Sequence, residues 1–292
     1  MNKFLKRAQE LEASMKSDRR YLHQNAEVGF DLPITTKYVM DRLQEIGLEP
    51  KEICKSGVTA LIEGKKPGKT YLLRADMDAI NLKETTGLPY QSLNPGKMHG
   101  CGHDGHITAL LGAMLLLSER RNFNGTVRCI FQPAEEPGKG SRAMIDDGLL
   151  EKYPMDEIYG IHNAPFLPEG ELHTKTGDIM ASEDNFRIKI KGKGFHASSP
   201  HMGIDPLVTA SQIILALQTV VSRNASPLDA AVISCTELFT DGAHNAVPSN
   251  VEILGDTRSC TPQIQKLIED RMRAICENIC RMNGAECEFT YT

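Results

Sequence analysis

The chain has 292 residues, enough for two domains, with 40% hydrophobic and 24% charged residues and a formal net charge of −5. That charge balance argues against nucleic acid or an anionic membrane as a partner. No stretch approaches the roughly 20 apolar residues that cross a bilayer, and residues 1–16 lack the apolar core of a secretory signal.

Residues 2–19 read as an amphipathic helix with Phe4, Leu5, Ala8, Leu11 and Met15 on one face. A second helix spans about 36–46, with Thr35 or Thr36 as its cap and Gly47 as its stop. Residues 57–62 and 70–74 read as strands. The stretch from Gly64 to Thr70 has a phosphate loop's composition, but its glycines are one residue too close and a strand follows it, so it is rejected as one. The second strand runs into Asp76 and Asp78.

Next comes Met98-His99-Gly100-Cys101-Gly102-His103-Asp104-Gly105-His106, dense in groups that bind metals. Its glycines let the backbone turn tightly enough to bring alternate side chains together. Apolar residues at 107, 110, 111, 114 and 115 follow at helical spacing, so the cluster reads as a loop leading into a buried helix. A thiolate and an imidazole two residues apart suit zinc, or another borderline metal such as cobalt, nickel or manganese.

Residues 125–131 form the next strand, ending near Glu135 and Glu136. A helix over 141–150 and a short strand over 157–161, ending at His162, complete this half. Strands alternating with helices imply an α/β domain with a mostly parallel sheet. Asp76, Asp78, the glutamate pair and His162 each lie just past the C-terminal end of a strand, the rim where open α/β sheets bind ligands. From about residue 181 the pattern becomes strand (185–191), helix (204–221), strand (230–238), strand (250–256), helix (264–282) and strand (286–291). That β-α-β-β-α-β order is ferredoxin-like. The division is therefore 1–180, a metal-binding domain, and 181–292, a smaller α+β domain.

Cys101, His103, one of Glu135 and Glu136, and His162 make a plausible ligand set. Adjacent side chains in extended backbone point to opposite sides, so one glutamate can bind metal while the other faces the water that the metal activates, as a general base. Asp78 is placed to bind metal or to orient a ligand or base; Asp76 is the weaker case. His99 and His106 read as groups that orient the ligands, and Asp104 as one of these or as a helix cap. His23 and His173 read as structural or surface residues. His196, in a glycine- and serine-rich loop, is placed to touch a ligand, and Arg258 to hold a carboxylate or pair on the surface. Cys276 and Cys280 read as core residues. The eight cysteines, in a long chain with no signal peptide, read as reduced, and the cytoplasm as the default address.

The segments Leu22-His23 with Glu27-Val28-Gly29-Phe30, Leu73 to Ala79, Met98 to His106, Phe131 to Pro137, Gly160-Ile161-His162, Gly194 to Ala197 and Asn245 to Pro248 carry a family resemblance. Together they resemble the M20 metallopeptidases, in the amidohydrolase branch of hippurate hydrolases, N-acyl-amino-acid deacylases and indole-acetyl-amino-acid hydrolases. The resemblance implies a metal-dependent exopeptidase-like catalytic domain and a smaller lid domain that forms a homodimer. It implies two divalent metal ions held by Cys101, His103, Glu136 and His162, with Glu135 as general base. His196 is implied to reach a catalytic site, the partner subunit's, and stabilise the developing oxyanion. The implied substrate is an N-acyl amino acid; alternatives are a dipeptidase or carboxypeptidase of the same family. Family chains return from the lid and supply one more ligand histidine, whereas this chain stops at Thr292. The expectation is a truncated chain that dimerises through the lid but turns over slowly, or a metal-binding protein without activity.

Overall fold

The computed structural model describes residues 3–292, which group into two compact units meeting at Glu169 and Gly170. The sequence reading put the boundary at 180; residues 170–180 are exposed and group with the second unit.

The first unit opens on α1 (Lys3–Glu10) and α2 (Glu12–Gln24), not on one helix. At Leu11 the backbone N–H is shared between the carbonyls of Arg7 and Ala8, which tightens the turn and separates the two. Helix α3 (Pro33–Glu45) begins earlier than expected, with proline in its first turn. Neither Thr35 nor Thr36 caps it. The buried Glu27 carboxylate accepts the Ile34 and Thr35 N–H groups at 3.1 and 2.9 Å instead. Gly47, with φ of +78°, does end the segment.

Strands β1 (Lys51–Ile53), β2 (Gly57–Glu63) and β3 (Lys66–Asp76) come next, followed by α4 (His103–Glu119) and β4 (Asn124–Gln132). The helix expected over 141–150 is two pieces, α5 (Gly140–Asp146) and α6 (Leu149–Lys152), divided at Gly148, whose φ is +87°. Strand β5 (Glu157–Gly160) closes the sheet, whose order is β1-β2-β4-β3-β5. β3 lies parallel to both β4 and β5, while β1 and β2 extend the sheet antiparallel. The register sets Asp76 opposite Gln132 and Arg74 opposite Gly160, so the three parallel strands end side by side. One face of the sheet packs Val58, Ala60, Ile62 and Phe131 against Leu22, Val39, Leu43, Ile107 and Met114 of α2–α4. The other face buries Leu72 and Ile130 under Met144 and Leu149. Each such buried Val, Leu, Ile, Phe or Met side chain contributes about 1.5–3 kcal/mol.

The second unit contains β6 (Ser182–Lys191), β7 (Phe195–His196), α7 (Pro206–Thr219), β8 (Ala231–Thr240), β9 (Ala246–Val247), β10 (Asn250–Ser259), α8 (Pro262–Asn283) and β11 (Glu286–Tyr291). The main sheet has the order β11-β6-β10-β8 with every pair antiparallel, the ferredoxin-like arrangement. Asp205 caps α7 and Thr261 caps α8, while Gly284 ends α8 at φ of +75°. Phe186, Ile188, Ile190 and Ile253 meet Ile213, Leu217, Ile268 and Met272 from the helices. Among the described residues no helix is long and apolar enough to cross a membrane.

Candidate metal centre

Helix α4 begins at His103 itself, so His103, Asp104 and His106 occupy its first turn and not a loop. The cap is Gly102, in the left-handed region at φ of +86°. Asp104 does not cap the helix. It is fully buried and bonded to His23 Nδ1 at 2.8 Å and Arg19 Nε at 3.2 Å. His23 is thereby fixed in the interior, with Glu84 on its other nitrogen at 3.3 Å.

The rim of β3, β4 and β5 brings two overlapping groups of ligand atoms together. Cys101, His103 and Glu136 form one; Asp76, His103, His106 and His162 form the other. Within each group the atoms lie within 4.8 Å of one another. His103 belongs to both. Its Nδ1–H donates to the Asp78 carbonyl at 2.7 Å, which leaves the lone pair on Nε2. That Nε2 is buried without a hydrogen-bond partner, 3.7 Å from Asp76 and Glu136 oxygens and 3.8 Å from Glu135 Oε2. A buried, unpaired imidazole nitrogen facing three carboxylates fits a cation. His162 reaches the same place from the end of β5, its Nε2 3.4 Å from Cys101 Sγ.

Asp78 is fully buried and positions the glutamates. Its two carboxylate oxygens accept the backbone N–H groups of Glu135 at 2.9 Å and Glu136 at 3.2 Å. With both oxygens committed, its place is behind the reacting groups, holding the loop after β4. Ala134, immediately before the pair, is held at φ of +48° with its N–H on the Gly29 carbonyl at 3.0 Å. That turn redirects the chain so that both glutamates open toward the rim.

The electrostatics suit positive charge. Burial, then Glu136, Glu135 and Asp76, push the Cys101 thiol up to about 12. Burial raises Glu136, with Glu135 and Asp78 adding to the rise against His103 and Cys101. For His103, burial disfavours the imidazolium, but the hydrogen bond to Asp78 and the Asp76, Asp78 and Glu136 charges outweigh it and raise its pKa. Asp76 is driven down to about 2: burial opposes its charge, and His106, His103 and Arg74 together overcome that. A bound cation supplies the charge this crowd of acids lacks, so metal binding and thiol ionisation are coupled. His99 is buried nearby, its ring nitrogens without partners, and burial lowers it to about 4.

Of the residues singled out in the sequence, the rim therefore assembles Cys101, His103, Glu135, Glu136 and His162, with Asp78 behind them. Asp76 and His106 sit closer to the centre than their sequence context suggested. The signal was present: His103 and His106 are three apart on a helix and share a face. Asn163, whose backbone and side chain contact His106 Nε2 at 3.0 and 2.6 Å, carried no signal. In the second unit, His196 is exposed on β7, and its Nδ1 accepts the Ser198 N–H at 3.2 Å, so Nε2 carries the proton. Arg258 pairs with Glu183 and Asp256 at 2.9 and 2.6 Å, which engages its guanidinium within its own unit. Cys276 and Cys280 are core residues.

Comparison with known proteins shows what the chain is similar to. The sequence profile of peptidase family M20/M25/M40 matches residues 72–281. The chain is 41% identical over 281 residues to hippurate hydrolase of Campylobacter jejuni, covering 96% of this chain and 73% of that one. It is 41% identical over 271 residues to N-acetyl-L-cysteine deacetylase of Bacillus subtilis, covering 92% and 65%. Among solved structures, the YXEP protein of Bacillus subtilis, described as a dinuclear metal binding peptidase, superposes with a TM-score of 0.79 at 36% identity, covering 97% of this chain and 74% of that one. The chain thus spans roughly two thirds to three quarters of the length of these proteins.

Proposed function

The chain belongs to peptidase family M20/M25/M40, and on that premise we propose that it is a metal-dependent amidohydrolase cleaving the amide bond of N-acyl amino acids. The observation that carries this reading is the glutamate pair. Asp78 anchors both backbone N–H groups beside the unpaired Nε2 of His103. Cys101, His103, Glu136 and His162 would hold two divalent ions. When bound, such ions lower the pKa of water and polarise an acyl carbonyl. Glu135 takes the proton of the attacking water and delivers it to the leaving amine. Its side chain is 36% exposed, open enough for substrate to reach it. His196 reaches the partner subunit's site and donates from Nε2 to the developing oxyanion there, in keeping with the tautomer that Ser198 sets.

The names of the relatives, a hippurate hydrolase and an N-acetyl-L-cysteine deacetylase, support small N-acyl amino acids as the substrate class. Homodimerisation through the second unit belongs to the same proposal. The free edge of β8 carries exposed Leu238 and Phe239, and α7 exposes Val208 and Leu215. Sedimentation would show a dimer that charged residues at Leu238 and Phe239 convert to monomer.

The test of activity is turnover of N-benzoylglycine and N-acetylcysteine by the zinc-, manganese- or cobalt-loaded chain, beside dipeptides with a free α-amine. Cleavage of the N-acyl substrates is expected. Cleavage of the dipeptides alone would move the protein to the dipeptidases. Bound metal without turnover of any of these would make it a binding protein.

A further inference from the structure

We propose that His106 is a positioning residue of this centre and not one of its ligands: with Asp76 and Asn163 it holds His162 against Cys101. The inference rests on the reading of His162 as a ligand.

His106 is one of four side chains gathered closely enough to share an ion. Its hydrogen bonds point elsewhere. Asn163 meets its Nε2 with two atoms, the backbone N–H at 3.0 Å and the side-chain Oδ1 at 2.6 Å. Nδ1 faces Asp76 Oδ1 at 2.6 Å. Asp76 is fully buried, and its other oxygen takes Arg74 Nη1 at 2.7 Å. Both nitrogens of His106 are committed within a chain that runs Arg74, Asp76, His106, Asn163. To bind an ion, His106 would have to abandon the Asn163 N–H.

What that chain holds is the segment carrying His162. Asn163 is the next residue, and its carbonyl accepts from His162 Nδ1 at 2.8 Å. That bond places the His162 lone pair on Nε2, which faces Cys101 Sγ at 3.4 Å. Asn163 therefore uses its N–H to dock on His106 and its C=O to set the tautomer of His162. Its side chain ties in the other ligand segment. A Cβ on Gly102, between Cys101 and His103, would lie 2.5 Å from Asn163 Oδ1. The His106 and His162 rings also pack directly, with centroids 4.6 Å apart at 64°. Removing the His106 ring takes away the partner of Asn163 and opens a space into which His162 can turn.

The experiment is a double-mutant cycle on the full chain, read by chelator-competed titration with zinc and by the absorption of the cobalt-substituted protein. The variants are His106→Leu, His162→Ala and the pair. His106→Leu is expected to weaken metal binding about 10- to 100-fold, the range for a group that orients a ligand. In the His162→Ala background the same change is expected to add nothing, because the residue it positions is gone. The cobalt–thiolate absorption of Cys101 persists in His106→Leu. His106→Gln, whose Oε1 can accept the Asn163 N–H, recovers most of the affinity, whereas His106→Asn, too short to reach it, does not. Should His106→Leu fail to fold by circular dichroism, the cycle is run with His106→Gln and His106→Asn. Full additivity of the two losses would overturn the proposal and make His106 a ligand in its own right. Unchanged affinity in His106→Leu would overturn it too. Full metal affinity in His162→Ala would remove the reading beneath it, a pattern distinct from the other two.

Discussion

Burial and the neighbouring carboxylates hold the Cys101 thiol protonated beyond the range of an ordinary thiol, up to about 12. A serine hydroxyl there ionises far less readily and is a poorer donor to a borderline metal. Cys101→Ser is expected to lower zinc affinity at least 10- to 100-fold, as even supporting groups do, and to abolish the thiolate band of the cobalt form; an unchanged band would exclude Cys101 as a ligand. The adjacent glutamates separate by role. Glu135→Gln should keep its metal and lose about 10²- to 10⁴-fold in kcat, since an amide cannot accept the proton of water. Glu136→Gln should lose metal first. Elemental analysis beside the rate distinguishes them, and full activity in Glu135→Gln would refute the base. These residues were legible in the sequence because their types are metal donors at strand ends. Asp76, His106 and Asn163 were less so. Their contacts depend on the β3–β5 register and on where α4 starts, and neither is written in local composition.

Helices and strands were legible to the extent that their residues repeat. The β-α-β-β-α-β order of the second unit follows from clear periodicity with Asp205, Thr261 and Gly284 at helix ends. Boundaries set by distant groups were not. Thr35 and Thr36 have the chemistry of caps, yet Glu27 takes the N–H groups at the start of α3 from across a turn. Its backbone carbonyl also accepts the Ala79 N–H at 2.7 Å, next to Asp78. Glu27 thus ties the start of α3 to the strand end that anchors the glutamates. Glu27→Ala leaves two N–H groups without their acceptor, a loss of about 1–2 kcal/mol. Urea unfolding should show a lower midpoint with zinc stoichiometry retained. A midpoint equal to that of the parent would mean another group caps the helix.

Among the described residues, the first unit packs hydrophobic clusters on both faces of its sheet and the second unit has a core of its own. Alternating hydrophobicity made that division visible in the sequence. The joint fell eleven residues early, because the exposed stretch 170–180 has no pattern to assign it. Every candidate ligand, from Asp76 to His162, lies in the first unit. A ligand that binds only the folded form stabilises by mass action, about 2.7 kcal/mol at a hundredfold excess over Kd. For a unit of this size that is roughly 5–10 °C in midpoint. The second unit offers the metal nothing equivalent, and its own stability rests on its core. Ile253, fully buried in β10, is the place to mark it: Ile253→Ala should cost about 2–5 kcal/mol. Calorimetry of the chelator-treated chain should therefore resolve two transitions. Zinc should raise one, Cys101→Ser should cancel that rise, and Ile253→Ala should lower the other. If zinc and Ile253→Ala moved the same single transition, the two units would be unfolding as one cooperative body and the assignment of metal stabilisation to the first unit would be wrong.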